Sequence, residues 1–293
     1  MSRTPWRHLM LTRNFLASLA AAIMWGQPAL ADDTVLLGHR IHGHGPEHVI
    51  MLHDWMGDAS NYDDVLPWLD EDRFTYVLAD VRGYGLSRNL EGAFTSDEVS
   101  GDIARLADHL GWSQFHLVGH SMNGMAGFKF LLNDALGAGR LKSYVAVTPV
   151  TPDGYPATEE DRAFLAAAIS DDDTARMAFG ALTGAKLNSA WGDGKTARNR
   201  QTSRPDALKG YYTMWLDEDF SEAFRKAHIA TPVLVIGGRN DLPGFQEAHY
   251  SATIANWLQN VRFHYVTDAG HYPMQETPVL FASLIEGHFA AAR

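Results

Sequence analysis

The sequence predicts an α/β protein, a mostly parallel sheet flanked by helices on both faces. Three observations predict it. Short runs rich in Val, Ile and Leu recur without polar alternation, as strands buried on both faces require. Stretches with apolar residues at helical spacing separate them. Reactive polar residues stand just beyond the ends of three runs, where open α/β sheets hold their ligands. The composition agrees: of 293 residues, 46% are hydrophobic and 20% charged, which excludes a disordered chain. Lys and Arg total 24 against 35 Asp and Glu, a net charge of −11, so nucleic acid is not an expected partner. There is no cysteine, which removes disulfides, thiol catalysis and Cys-ligated zinc together.

The first 31 residues read as an address. Arg3, Arg7 and Arg13 precede the first acids, Asp32 and Asp33, and the apolar run Phe15 to Gly26 follows. Ala29 and Ala31 then take the small-residue positions before a cut. Basic start, short apolar middle and A-x-A end describe a secretory signal peptide, too short to span a bilayer. Residues 1–31 are therefore expected to be removed, leaving a periplasmic or secreted protein with no stable membrane insertion.

Elements follow in order. TVLLGHRIHGHG from Thr34 is expected to form a hairpin at a sheet edge. HVIMLHD, from His48 to Asp54, is a buried strand, and YDDVLPWL a short helix. FTYVLAD, from Phe74 to Asp80, is the next strand. SDEVSGDIARLADHLG opens on a Ser with acids close behind and closes on Gly111, which marks a helix. QFHLVGHS (Gln114 to Ser121) is a strand, MAGFKFLLNDAL a helix and YVAVTPV a strand. Two further strands lie within Thr231 to Asp241 and Val261 to His271, and a last helix starts near Pro278. From Thr151 to Ile229 the rhythm stops. No strand is legible, and Phe164, Phe179, Trp191, Tyr211, Trp215 and Phe220 sit among Asp, Ala and Gly. The core is accordingly expected over 32–150 and 230–293, with 151–229 a helical cap.

Three strand ends carry a nucleophile, an acid and a base. In GHSMNG, Gly119 to Gly124, an apolar strand leads through a small residue to Ser121 and then a helix. That turn pushes the Ser121 hydroxyl out of the sheet and leaves the Met122 N–H at a helix start, free for an oxyanion. Serine needs a base, and DAGHYP supplies His271 after the last strand. Imidazole needs an acceptor on its other nitrogen, and GGRND supplies Asp241. Asp153, beyond the fourth strand, is the fallback acid.

With these motifs the sequence resembles the α/β-hydrolase superfamily from about Thr34 onward. LHDWMGD (Leu52 to Asp58) is similar to its His-Gly-x-x-Gly oxyanion loop, DVRGYGLS (Asp80 to Ser87) to its Asp-x-Arg-Gly-x-Gly-x-Ser turn, and GHYPMQETP (Gly270 to Pro278) to its Gly-His…Glu-x-Pro segment. The resemblance implies Trp55 N–H as second oxyanion donor. Two residues depart from the pattern. Asp54 stands where the family has Gly, and Asn123 replaces the second Gly of the elbow. Ser121 itself argues against the dehalogenases and epoxide hydrolases of this superfamily, which place Asp there.

The expected activity is a serine hydrolase acting on a carboxylic ester or related acyl bond of a small, largely apolar substrate, without a cofactor. Lactone, amide and C–C hydrolysis and cofactor-free perhydrolysis use the same triad, and a non-catalytic ligand-binding protein on this fold is the competing class. Asp54, Trp55, His120, Trp191 and Trp215 are the expected substrate contacts. The histidine run His39, His42, His44, His48 and His53 lies along a hairpin and its exit, where most side chains cannot converge on a metal, so no metal site is expected. The sequence leaves the oligomeric state open.

Overall fold

The computed structural model describes residues 35–292. The expected signal peptide lies outside them. The described residues form one compact unit.

The sheet has seven strands: β1 (His39–Gly43), β2 (Glu47–Leu52), β3 (Phe74–Ala79), β4 (Phe115–His120), β5 (Leu141–Val147), β6 (Val233–Gly238) and β7 (Val261–Val266). Their order is β1-β3-β2-β4-β5-β6-β7; β1 runs antiparallel to β3 and every other pairing is parallel. β4 and β6 are buried along their whole length, as their unbroken apolar runs require. The edge position of the first segment is as expected, but its hairpin is not. It forms a single strand whose partner is β3, which inserts between β1 and β2. The turn between them uses Gly43 at φ +81°, a conformation open to glycine without strain. The YDDVLPWL segment forms no α-helix: a 3₁₀ turn, Ala59–Tyr62, ends at its first residue and a second, Leu66–Trp68, lies within it, since Pro67 has no N–H to carry an α-helix through.

Eleven helices are present among the described residues. α1 (Ser96–His109) begins one residue earlier than its Ser suggests: Thr95 caps it, accepting from the Glu98 N–H at 3.1 Å. Its buried face is Val99, Ile103, Leu106 and Ala107, the i, i+4, i+7, i+8 pattern that the sequence shows. α2 (Met122–Leu136) follows β4 directly. Between β5 and β6 come α3 (Glu159–Ala168), α4 (Asp172–Leu182), α5 (Ser189–Thr202), α6 (Pro205–Asp217) and α7 (Ser221–Lys226), with no named strand among them. Asp171 caps α4 by accepting from the Thr174 N–H at 2.7 Å. After β6 lie α8 (Glu247–Ala252) and α9 (Ile254–Trp257); α10 (Pro273–Glu276) and α11 (Pro278–Ala291) close the chain.

The core lies on both faces of the sheet. Val49, Ile50, Tyr76, Val77, Leu117, Val145, Val235 and Ile236 are fully enclosed. Asp80 and Arg82 brace the turn after β3. Asp80 accepts from the N–H groups of Ala59 (2.7 Å) and Leu86 (2.8 Å), and Arg82 makes a bidentate pair with Asp102 at 2.8 Å. This bracing fixes the loop that follows β2 from beneath.

Candidate active site

Ser121 stands between β4 and α2 with φ 57° and ψ −114°, a backbone region that a side chain rarely adopts and that costs about 1–3 kcal/mol. Neighbouring glycines allow the turn to be this sharp. A Cβ at Gly119 would lie 2.8 Å from the Tyr144 hydroxyl, and one at Gly124 would lie 2.5 Å from Cβ of Pro149. The Ser121 N–H donates to Val147 O at 2.9 Å, and its carbonyl accepts from Val150 and Gly124. The backbone is thus held from β5 while the side chain reaches a cavity of about 200 Å³.

His271 lines the same cavity, and Asp241, its side chain fully enclosed and not itself part of the wall, meets the imidazole. The His271 Nδ1–H donates to Asp241 Oδ2 at 2.7 Å, and Asp241 Oδ1 accepts from the Leu242 N–H at 2.7 Å. The carboxylate fixes the imidazole tautomer and leaves Nε2 as a base. Burial pushes the Asp241 carboxyl above its ordinary value, against the pull of the imidazole and of the Leu242 N–H. Ser121 and His271 both line the cavity. No hydrogen bond joins the Ser121 hydroxyl to His271 Nε2 among the described residues; catalytic hydrogen bonds of this kind tighten in the substrate complex. Asp153, the fallback acid, accepts instead from the Thr151 hydroxyl and makes no bond to His271.

Main-chain bonds hold the histidine in place on every side. Its N–H donates to Leu182 O at the end of α4 at 2.8 Å, while its carbonyl accepts from His120 Nε2 (2.8 Å) and the Thr148 hydroxyl (3.2 Å). Glu276 accepts from the flanking N–H groups of Gly270 and Tyr272 at 2.9 and 3.1 Å.

The two backbone N–H groups of Trp55 and Met122 donate to no protein acceptor among the described residues. Met122 occupies the first position of α2, whose N–H has no intrahelical partner and feels the positive end of the helix. Trp55 is anchored by its indole, which donates to Leu208 O at 2.7 Å and packs edge-on against Trp215. The loop is set further by His53. Its Nδ1–H donates to Asp54 O at 2.7 Å and its Nε2 accepts from the Val81 N–H at 3.2 Å.

Both departures from the resembled pattern have structural partners. Asp54 is not among the residues at positive φ, so this loop does not need glycine there. Its carboxylate accepts from Asn61 Nδ2 at 2.6 Å and from the Tyr272 hydroxyl at 2.7 Å. Burial pushes this carboxyl up, but the Lys195 ammonium, His120 and the Tyr272 hydroxyl outweigh it and hold the group well below the usual carboxylate range. Asn123 donates from Nδ2 to His53 O at 2.6 Å, which ties the elbow to the oxyanion loop.

The cavity wall is mostly apolar. α3 contributes Phe164 and Leu165, α4 contributes Ala178, Ala181 and Leu182, and α6 contributes Trp215; Tyr155, Leu242, Phe245 and Tyr272 complete the aromatic and aliphatic surface. Of the five expected substrate contacts, Asp54, Trp55 and Trp215 line it. Two residues do not. His120 points away under the base: its ring lies 5.1 Å from that of His271, fully buried, and burial lowers it to about 3. Trp191 lies behind Tyr272, 5.2 Å away and edge-on, with its indole donating to Gln275 Oε1 at 3.1 Å. A strand-end position alone does not say to which side the pleat sends a ring, and Trp191 is screened by a residue distant in sequence. Phe245 and Tyr272, both beside the cavity, were not singled out by sequence reasoning. Their signal is adjacency, since Tyr272 follows His271 and Phe245 lies four residues past Asp241.

The clustered histidines take separate partners. His39 bonds Leu37 O at 2.9 Å, His44 faces Asp72 at 3.2 Å and His48 stacks on Trp112 at 4.3 Å. Among the described residues no helix is long and apolar enough to cross a membrane.

A family model described as alpha/beta hydrolase fold matches residues 47–278. The chain belongs to the α/β-hydrolase family. Relatives of this α/β-hydrolase include a human serine hydrolase-like protein, 32% identical over 117 residues, which cover 39% of this chain and 53% of the relative. A soluble epoxide hydrolase from Corynebacterium is 31% identical over 97 residues, 32% of this chain and 33% of that one. The match thus spans about half, or less, of the length of these curated relatives. Among solved structures, a hydrolase from Oleispira antarctica superposes with a TM-score of 0.76 at 17% identity, covering 88% of this chain and 96% of its own. An esterase from Exiguobacterium antarcticum gives 0.73 at 18%, covering 87% and 95%. At these identities the structural likeness speaks for the fold.

Proposed function

We propose that this α/β-hydrolase is an exported serine hydrolase that cleaves a carboxylic ester or related acyl bond of a small, largely apolar substrate through an acyl-enzyme. One observation carries the reading. Ser121 sits on a strained turn at the wall of a cavity that His271 also lines, with Asp241 2.7 Å from the His271 Nδ1. His271 Nε2 takes the Ser121 proton as Oγ attacks the acyl carbon. The oxyanion that forms is met by the N–H groups of Trp55 and Met122. Collapse of the adduct breaks the bond to the leaving alcohol, which takes the proton from His271. Water then gives a proton to His271 and its oxygen attacks the acyl-enzyme, releasing the acid and returning the proton to Ser121.

The apolar wall supports the substrate class, and α3, α4 and α6 form the cap under which the acyl group would lie. The basic, apolar and A-x-A pattern of residues 1–31 supports export to the periplasm or medium. A panel of p-nitrophenyl esters of rising chain length tests this. The expected result is turnover that rises with chain length, then falls once the chain outgrows the cavity, and that Ser121→Ala abolishes. Turnover retained in Ser121→Ala refutes the reading, and a folded wild-type protein inert to every ester favours a ligand-binding role instead.

A further inference from the structure

Asp54 presents a physical problem. A carboxylate 3% exposed, beside an apolar cavity and one residue from an oxyanion donor, is costly unless another charge offsets it. Among the described residues no cation touches it. The compensating charge comes from α5, in the helical insert, by way of an amide. Lys195 Nζ donates to Asn61 Oδ1 at 2.6 Å, and Asn61 Nδ2 donates to Asp54 Oδ1 at 2.6 Å. The orientation of that amide is forced, since an ammonium only donates and a carboxylate only accepts. The other carboxylate oxygen takes the Tyr272 hydroxyl at 2.7 Å, and the Lys195 ammonium lies 4.5 Å above the centre of the same Tyr272 ring. The rings of Phe179 and Trp191 stand 5.6 and 5.9 Å from that ammonium. α5 grips the loop twice more, from Arg198 to Asp58 at 2.7 Å and from Asn199 to Met56 O at 3.2 Å.

We infer that the Lys195–Asn61–Asp54–Tyr272 relay positions the oxyanion donor and the base together, and that Lys195 is a positioning residue of the site. One end of the relay is the residue before Trp55, whose N–H faces the developing oxyanion; the other is the residue after His271. The insert therefore does more than cover the cavity: its charge holds the loop of one catalytic group against the loop of another. Removing the ammonium alone leaves a buried carboxylate without compensation, which breaking a buried charge pair always risks. Removing both charges does not, because an Asn at 54 can still accept from Asn61 Nδ2 and donate to the Tyr272 hydroxyl. The catalytic part of this inference rests on the serine-hydrolase reading.

The test uses the full chain and two readouts: the second-order rate at which a fluorophosphonate labels Ser121, and kcat and KM for p-nitrophenyl acetate. Lys195→Met is expected to label about 10–100-fold more slowly, approaching the cost of a lost oxyanion donor, with kcat falling in step and KM moving by no more than about threefold. Lys195→Arg keeps the charge and is expected to retain most of the rate. The double variant D54N/K195M is expected to recover at least about tenfold over Lys195→Met, the sign of a coupled pair. Tyr272→Phe, which removes a single hydroxyl, gives the same direction of loss should Lys195→Met fail to fold. Unchanged labelling in Lys195→Met or in Tyr272→Phe overturns the inference, and so does a double variant slower than Lys195→Met. Wild-type protein that folds but never labels overturns the hydrolase reading itself, a separate outcome from labelling that ignores Lys195.

Discussion

Acidification is expected to weaken this fold well above the pH at which its carboxylates protonate. His120 and His288 are buried and neutral. Burial lowers His120 to about 3, and burial with the nearby Arg262 guanidinium lowers His288 to about 4, from an ordinary 6.5. Between 6.5 and those values the unfolded chain binds protons that the native chain refuses, so stability rises with pH through that window. The contribution is complete above about pH 6.5 and drains away as the pH falls towards about 4 for His288 and about 3 for His120. At pH 5 each histidine has withdrawn about 2 kcal/mol, or about 4 kcal/mol for the pair, from a typical total of about 5–15 kcal/mol. His116 acts in the same direction: its ring is buried against Phe289, and burial and Lys142 lower it. The depressed carboxyls of Asp54 and Asp58 do not contribute here, since their stabilisation is lost only below the unfolded carboxylate range. Glu276 and Asp241, raised by burial, act oppositely and regain some stability as the pH falls. Urea unfolding monitored by tryptophan fluorescence at half-unit steps from pH 8 to 5 measures the slope. A midpoint that stays level from pH 7 to 5 would refute the assignment of these histidines as neutral and buried.

Three further outcomes follow from particular contacts. Asp241→Asn is expected to lower kcat by about 10⁴ while the melting temperature stays nearly unchanged, because the wrong imidazole tautomer is then favoured; a drop below tenfold in stopped-flow ester hydrolysis would contradict the pairing. Gly124→Ala drives a Cβ to within 2.7 Å of Pro149 Cα and is expected to cost about 1–3 kcal/mol, read as a lower denaturant midpoint with an unchanged slope. Trp55→Phe leaves Leu208 O without its indole donor and is expected to cost about 1–3 kcal/mol. In the same variant kcat should fall more than KM rises, and a purely KM effect would show that the indole serves binding rather than loop placement.

Much of this architecture can be read from local pattern. The buried strands announce themselves as uninterrupted Val, Ile and Leu runs, α1 by spacing and end signals, and α11 by the proline at its start. Ser121, Asp241 and His271 are legible because each lies in the segment just beyond a strand's carboxyl end, and strand ends in a parallel sheet share one edge. What stays hidden depends on contacts between distant segments. β1 was expected to pair locally, but β3 takes the place beside it. The expected contact of Trp191 fails because Tyr272 screens it, and that of His120 because its ring turns under the base. Lys195, Asn61 and Tyr272 carry no motif. They become a unit only when α5, the loop after β2 and the segment after β7 are brought together.

The most direct measurement is intact-mass analysis of the protein after treatment with a fluorophosphonate, followed by peptide mapping. A single adduct on the peptide carrying Ser121, absent from Ser121→Ala and much slower to form in His271→Ala, is the expected result. A natively folded chain that takes up no label, or that takes it up equally well without the Ser121 hydroxyl, would contradict the assignment of this site as a serine nucleophile with its base.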